Sequence, residues 1–224
     1  MERTISIEVG KGSQAHNSRK FKASNVDAER TQNNVCYCNG NIRKVYHELF
    51  DDAVKRYNDK QTRADRKIDD YYEKIRTGKQ EKLFHEIVVQ IGNKDDTNVQ
   101  GEHCELAGKV LDEYYSGFIE RNPQLRVFSS HLHLDEETPH LHIDFVPFMT
   151  GSKRGLDTRV TLKQALAIQG FKGGSREETE WSQWVQSEKK VLADVMKRHG
   201  IEWLQLGTKR EHLSVLDYKK RERE

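Results

Sequence analysis

Four imidazoles and three carboxylates fall in one twelve-residue stretch, His131-Leu132-His133-Leu134-Asp135-Glu136-Glu137-Thr138-Pro139-His140-Leu141-His142. Apolar runs rich in Val, Ile and Phe flank it, Arg126–Ser129 before and Ile143–Phe148 after, a composition that reads as strand. Residues two apart in a strand share a face, so His131 pairs in direction with His133, and His140 with His142. The polar Asp-Glu-Glu-Thr-Pro between them reads as a hairpin turn. Closing that hairpin carries imidazoles from both strands, with Glu136 from the turn, toward one point. Imidazole and carboxylate suit zinc, manganese, iron and nickel. Three imidazoles would leave open coordination positions, as a catalytic centre requires. A single strand histidine would be read as an ordinary hydrogen-bonded one; two His-x-His pairs with acids between them outweigh that reading.

A metal on imidazoles can polarise a carbonyl, activate water, or hold phosphate oxygens and stabilise a leaving oxygen. Two basic loops, Arg19–Lys22 and Lys153–Arg159, favour a phosphodiester. The first continues from His16-Asn17-Ser18-Arg19, with Lys20 and Lys22 close behind, an imidazole and an amide beside three cations that suit a phosphate backbone. Ser, Tyr or His could supply a nucleophile, and neutral imidazole is competent near neutral pH. The helical metalloprotease pattern H-E-x-x-H is absent, which disfavours peptidase chemistry.

The elements that must position these groups follow from periodicity. Thr4–Val9 alternates as a strand, and Val35-Cys36-Tyr37-Cys38 reads as a second, short one. A helical pattern starts at Ile42, runs through Val45, Tyr46, Leu49, Phe50, Ala53, Val54 and Tyr57, thins through Ala64, Ile68, Tyr71, Tyr72 and Ile75, and stops at Gly78. It predicts one long helix over 42–78, with a solvated, salt-laced second half. Leu83–Ile91 reads as a central strand, and Glu102–Ile119 as a helix ended by Asn122-Pro123. Thr161–Gln169 is a short helix. Ser175-Arg176-Glu177-Glu178 reads as a capping box for a helix that buries Trp181 and Trp184 and stops at Gly200. The helical spacing of those tryptophans with aliphatics favours core packing over base stacking. Ile201–Leu206 reads as a late strand. The order predicts an α+β fold, a central antiparallel sheet with helices packed on one side.

The chain has 224 residues, 34% hydrophobic and 33% charged, with a formal net charge of +2. This is enough for one sizeable core, and bulk charge does not announce a nucleic-acid binder. No apolar run reaches membrane-spanning length, and Met1–Ile7 lacks a signal-peptide core. Three cysteines without a secretory signal predict a reducing, cytoplasmic setting, with Cys36, Cys38 and Cys104 as buried free thiols.

The segment His133–His142 resembles the H-x-D-E-x-T-P-H-x-H motif of the plasmid mobilisation/recombination relaxases (the Mob/Pre, or MobV, family). His16-Asn17-Ser18-Arg19 is similar to that family's H-N-x-R motif, and Asn25-Val26-Asp27 through Arg30 and Asn34 to its second polar signature. The resemblance runs from the start of the chain to about Pro147, and more loosely over Gly155–Gly170. It implies a His-hydrophobe-His endonuclease-like relaxase fold, and a divalent metal, Mn2+ with Mg2+ as alternative, on His133, His140, His142 and Glu136. His16 is implied as nucleophile, attacking a scissile phosphate to form a phosphoramidate to the 5′ end and leave a free 3′-hydroxyl; Asn17, Arg19 and Glu136 would assist. Contacts to DNA would come from Arg19, Lys20, Lys22, Arg30, Lys153, Arg154 and Arg159. The implied function is site- and strand-specific nicking at a plasmid origin of transfer, for mobilisation or recombination. The implied partners are single-stranded or hairpin origin DNA and a coupling protein of a conjugation system, with no membrane contact through this segment.

Relatives carry Tyr where Val35 stands, so a tyrosine nucleophile is excluded there and Tyr37 is a distant alternative. His131 receives no role from the resemblance. Residues 1–206 are expected to be the catalytic domain, and 207–224 the start of a charged helical extension found in longer relatives. Two other readings compete: a hydrolase in which metal-activated water attacks, and a DNA-binding module whose metal is structural.

Overall fold

The structure is a computed structural model that describes residues 1–21, 23–101 and 103–206. The expected helical extension over 207–224, and Lys22, lie outside the described residues. The elements run β1 (Glu2–Arg3), β2 (Ile5–Val9), α1 (Gln14–Asn17), β3 (Val35–Asn39), α2 (Ile42–Asp59), α3 (Tyr71–Thr77), β4 (His85–Ile91), α4 (Cys104–Ser116), α5 (Phe118–Arg121), β5 (Leu125–His133), β6 (His140–Met149), β7 (Arg159–Val160), α6 (Leu162–Ile168), α7 (Glu180–Arg198) and β8 (Glu202–Trp203). The α+β expectation holds. The main sheet is antiparallel in the order β2-β4-β6-β5-β3, with β7 added to β6. The late strand β8 pairs in parallel with β1.

Alternation along the strands gives the sheet two unlike faces. Ile5, Ile7, Ile87, Val89, Ile91, Leu132, Leu141, Ile143 and Phe145 point into one core with α4, α5, α6 and α7. Trp184 is fully buried in that core, and Trp181 packs against it, as the spacing predicted. The Trp184 indole N–H donates to Asn122 Oδ1 at 2.7 Å. Glu188 of α7 is buried beside it and accepts from Tyr114, Arg121 and Asn122, so its charge is compensated.

Helices do not stay on one side, contrary to expectation. Val45, Tyr46 and Phe50 of α2, with Tyr71, Tyr72 and Ile75 of α3, pack on Phe128, Val146 and Val160. Val146 lies on the strand face shared by His140, His142 and Asp144. The second helical layer thus covers the far end of the histidine face and leaves the near end to α1.

The single helix expected over 42–78 is two. The Asn58 side chain clasps Ile68, donating to its carbonyl at 2.8 Å and accepting from its N–H at 2.9 Å, which folds the chain back after α2. Asp70 then caps α3, accepting from Glu73 N–H. Ile68 belongs to a small cluster with Ala53 and Leu156, not to a continuous helical stripe. The helix expected over Glu102–Ile119 breaks at Gly117 into α4 and α5. The capping box of α7 is Thr179 with Ser182, four residues after the expected one. Of the thiols, Cys104 is buried, Cys38 half-buried and Cys36 exposed, so the expectation of three buried thiols fails at the β3 edge.

Replacing Trp184 by Ala removes the largest fully buried side chain and the N–H that Asn122 accepts. The expected loss is about 3–5 kcal/mol, measured by denaturant unfolding; a loss below about 1 kcal/mol would show that the α7 layer is not part of the cooperative core.

Candidate metal centre and nucleophile

The register of β5 against β6 sets the site. His131 sits opposite His142, and His133 opposite His140, so all four imidazoles share the face turned away from the main core. The rings of His133, His140 and His142 lie with centroids 4.7 to 5.2 Å apart. Each has one nitrogen committed to an acceptor that cannot donate. His133 Nε2–H donates to the Asn17 carbonyl at 2.9 Å, His140 Nδ1–H to the Thr138 carbonyl at 2.7 Å, and His142 Nδ1–H to Glu86 Oε1 at 2.8 Å. These partners fix the tautomers, so His133 Nδ1, His140 Nε2 and His142 Nε2 carry the lone pairs. His133 Nδ1 and His142 Nε2 are buried with no hydrogen-bond partner. Buried nitrogen lone pairs without donors, on rings oriented from behind by oxygens, are what metal ligation needs.

Two overlapping groups of ligand atoms result, His16 with His133 and His142, and His133 with Glu136 and His140, each within 4.8 Å. The residues expected to ligate are thus divided between the two groups, His142 in one, His140 and Glu136 in the other, with His133 common to both, and the donor types fit a borderline divalent ion.

His16 lies on the same side of the sheet. It sits in the short α1, not a loop as expected, with its ring centroid 5.8 Å from that of His133 and 6.0 Å from that of His142. Its Nε2 is 3.2 Å from Glu136 Oε1. Burial lowers its pKa, opposed by Glu136 and aided by Arg19, so the ring is neutral near pH 7 and keeps a lone pair.

Arg19 ties this element to the hairpin turn. Its guanidinium donates to both Asp135 and Glu136, and to the His16 carbonyl. The side chain is only 8% exposed, and Arg19 adopts a left-handed backbone, φ 56°, which costs energy for a non-glycine residue. Its charge is satisfied by carboxylates, so the structure gives it a positioning place and not the free phosphate contact expected. Arg30 is used likewise: its Nε donates to the Leu134 carbonyl at 3.1 Å. The second polar signature is thereby explained as a brace on the turn. Asn25 donates to Glu136, Asp27 N–H to the Asp135 carbonyl, and Asn34 accepts from Leu134 N–H.

Lys20 is exposed beside α1. Lys153 and Arg154 are exposed, but lie past the far end of β6, about 20 Å along the strand from His142 at ~3.3 Å per residue. Arg159 is half-buried on β7. The structure does not gather these three at the histidines. Tyr37 packs with the opposite core, and its hydroxyl donates to Asp112; burial and Asp112 push its pKa up, so it falls away as a nucleophile. His131 is buried on the site face with Nε2 unpartnered.

Sequence reasoning missed Glu86 and Asp144. Both are buried, and each is the one acid of its strand, a signal that was available. Glu86 accepts from His142, from Asn17 Nδ2 at 2.6 Å and from Gly12 N–H at 2.6 Å. Burial would raise its pKa, but His142, Gly12 and Asn17 hold it low. Gly10 is required beside it, since a Cβ there would meet Glu86 Oε2 at 2.0 Å. Burial, then Glu86, raises Asp144 to about 7.

An antiparallel sheet with converging imidazoles on its open face, and one more imidazole held beside them, defines an α+β protein built around a histidine cluster. A family model described as plasmid recombination enzyme (Mob_Pre) matches residues 10–220, and the chain belongs to that family. It is 26% identical over 215 residues to the plasmid recombination enzyme type 2 of Staphylococcus aureus, an alignment covering 94% of this chain and 42% of that protein. The chain thus spans under half the length of its curated relatives. Among solved structures, it resembles the MobM relaxase domain (MOBV; Mob_Pre) bound to plasmid pMV158 oriT DNA in Mn-bound crystals. One, at pH 5.5, has TM-score 0.54 and 21% identity, covering 99% of this chain and 100% of that one. Another, with a 3′-thiophosphate, has TM-score 0.55 and 22% identity, covering 99% of each. At that identity the likeness establishes the fold. No helix among the described residues is long and apolar enough to cross a membrane.

Glu86→Gln keeps the shape but weakens the acceptor behind His142. Mn2+ affinity, by titration calorimetry, is expected to fall about 10- to 100-fold; an unchanged affinity would remove Glu86 from the site.

Burial, with His140 and His142, lowers His133 to about 2; burial, with His142, lowers His140 to about 4. In the unfolded chain both titrate near about 6.5, so their contribution to stability is complete above that pH and is lost as pH falls toward 4. Asp144, raised to about 7, acts oppositely over the same window, and two imidazoles outweigh one carboxyl. In chelator, Tm is therefore expected to drop as pH is lowered from about 7 to about 4.5. A flat or rising Tm contradicts the buried neutral imidazoles.

Proposed function

We propose that residues 1–206 form a relaxase catalytic domain that nicks one strand of plasmid origin-of-transfer DNA and becomes attached to its 5′ end through His16. The observation that carries this reading is a neutral imidazole, His16, held by Glu136 and Arg19 with its ring centroid 5.8 and 6.0 Å from those of His133 and His142, in a cluster of potential ligand atoms that also includes Glu136 and His140. Family membership and the MobM structures, whose subject is bound to oriT DNA and manganese, support it.

In this reading, His133, His140 and His142, with Glu136, hold a divalent ion, Mn2+ by analogy with those structures. Bound there, it would draw in the scissile phosphate's oxygens and stabilise charge on the departing one. A nitrogen of His16 then forms a bond to phosphorus as the bond from phosphorus to the 3′ oxygen breaks; the electron pair leaves with that oxygen, which takes up a proton to become the 3′-hydroxyl while the phosphorylated ring gives up the proton on its other nitrogen. Glu136, 3.2 Å from His16 Nε2, offsets the positive charge that grows on the ring. Arg19 keeps α1 and the turn in register, and Asn17 fixes the rings of His133 through its carbonyl and of His142 through Glu86. A phosphorus–nitrogen bond in place of a phosphorus–oxygen bond makes the step reversible, so a 3′-hydroxyl can rejoin the strand. Exposed Lys20 contacts the backbone near the nick, with Lys22 two residues on in sequence, while Lys153, Arg154 and Arg159 serve a more distant stretch of DNA. The DNA partner is single-stranded or hairpin origin DNA in the cytoplasm, delivered onward by a coupling protein when mobilised.

A nicking assay on supercoiled origin plasmid tests the reading. Wild type is expected to give relaxed plasmid carrying covalent protein with Mn2+ or Mg2+, and none in chelator; His16→Ala and His133→Ala are expected to give none. A His16→Ala variant that still cuts, with no covalent product, would replace transesterification by attack of water.

A further inference from the structure

Phe21 is 61% exposed and is the one large aromatic side chain left open to solvent among the described residues. Single exposed apolar residues are ordinary; the place of this one is not. The chain leaves α1 at Ser18, reverses through left-handed Arg19, and the Phe21 N–H closes on the carbonyl of Ala15 at 2.9 Å. Ala15 is the residue before His16. The same turn is pinned by Arg19 N–H on the His16 carbonyl at 3.0 Å and by the Arg19 guanidinium on Asp135 and Glu136. The backbone that carries the Phe21 ring is therefore fixed to the backbone that carries the His16 ring, and the strain at Arg19 is retained in doing so. Around it the sequence reads Lys20-Phe21-Lys22, an aromatic between two cations, and Lys20 is exposed.

Resting on the function proposed above, we infer that Phe21 is a stacking platform for the nucleobase next to the phosphate that His16 attacks. A strand laid across His16 must present a base within a nucleotide's length of that phosphate. An exposed ring on a rigid turn, flanked by a cation for the backbone, is the arrangement by which single-stranded nucleic acid is held through base faces. Every base has such a face, so the contact fixes strand position without selecting sequence. It also gives the Phe21 ring apolar cover that the free protein does not provide.

Binding of two single-stranded oligomers of about 12 nucleotides, oligothymidylate and an abasic strand of the same length, tests this by fluorescence anisotropy. Wild type, Phe21→Ala, Phe21→Tyr and Ile119→Ala would be compared, the last an exposed apolar residue on α5. Phe21→Ala is expected to weaken oligothymidylate about ten-fold and leave the abasic strand unchanged. Phe21→Tyr and Ile119→Ala are expected to bind as wild type. Equal loss on both strands, no loss on either, or a wild type that does not prefer bases over abasic sugar would overturn the inference. So would a Phe21→Ala change confined to self-association. The plasmid nicking assay separates the two ideas. A wild type that nicks covalently with oligothymidylate binding indifferent to Phe21 confines the failure to this residue; a wild type that never nicks removes the parent reading.

Discussion

One guanidinium holds two distant parts of the chain in register. Arg19, three residues after His16, is buried against Asp135 and Glu136 in the turn of a hairpin more than a hundred residues later. The β5–β6 pairing could bring the strand imidazoles together alone, because antiparallel register decides which side chains share a face. It could not bring His16. That requires a link strong enough to offset a left-handed residue and the burial of charge, and a guanidinium shared by two carboxylates is such a link. Glu136 is common to both halves of the site, accepting from Arg19 and Asn25 and standing 3.2, 3.6 and 3.8 Å from His16, His133 and His140.

The charge balance around the cluster is consistent with a cation at its centre. Glu86, Asp135 and Glu136 are all held below the usual carboxylate range, by His142, by Arg19, and by His140 with Arg19 respectively, each against the opposing effect of burial. The imidazoles of His16, His133 and His140 are pushed toward neutrality by burial. Asp144, crowded by Glu86, sits near neutrality at about 7. Anionic oxygens behind neutral rings whose inner nitrogens lack donors are the arrangement a divalent ion stabilises and a proton would disturb.

Much of this was legible in residue order because the governing rules are local. Period-two alternation placed His131, His133, His140 and His142 on one face, and the polar, proline-containing turn placed Glu136 over them. The tryptophan spacing of α7 placed its core face. What failed were features set by long-range contacts. The break after α2 depends on the Asn58 amide meeting Ile68, ten residues on, which periodicity does not see. The covering of the far half of the histidine face by α2 and α3 depends on tertiary packing. Arg19 and Arg30 read as phosphate-gripping cations because their partners, in the hairpin more than a hundred residues away, are invisible to composition. Glu86 and Asp144 are the lone acids of their strands, a mark of buried, partnered charge, and carry as much information as the histidines.

The proposed chemistry needs one divalent ion held by the free nitrogens of His133, His140 and His142. Pulsed electron paramagnetic resonance of Mn2+ bound to protein labelled with 15N-histidine reads this directly. Coupling to the nitrogens of these three imidazoles is expected, with one coupling lost in each single alanine variant. Bound Mn2+ with no histidine nitrogen coupling would contradict it.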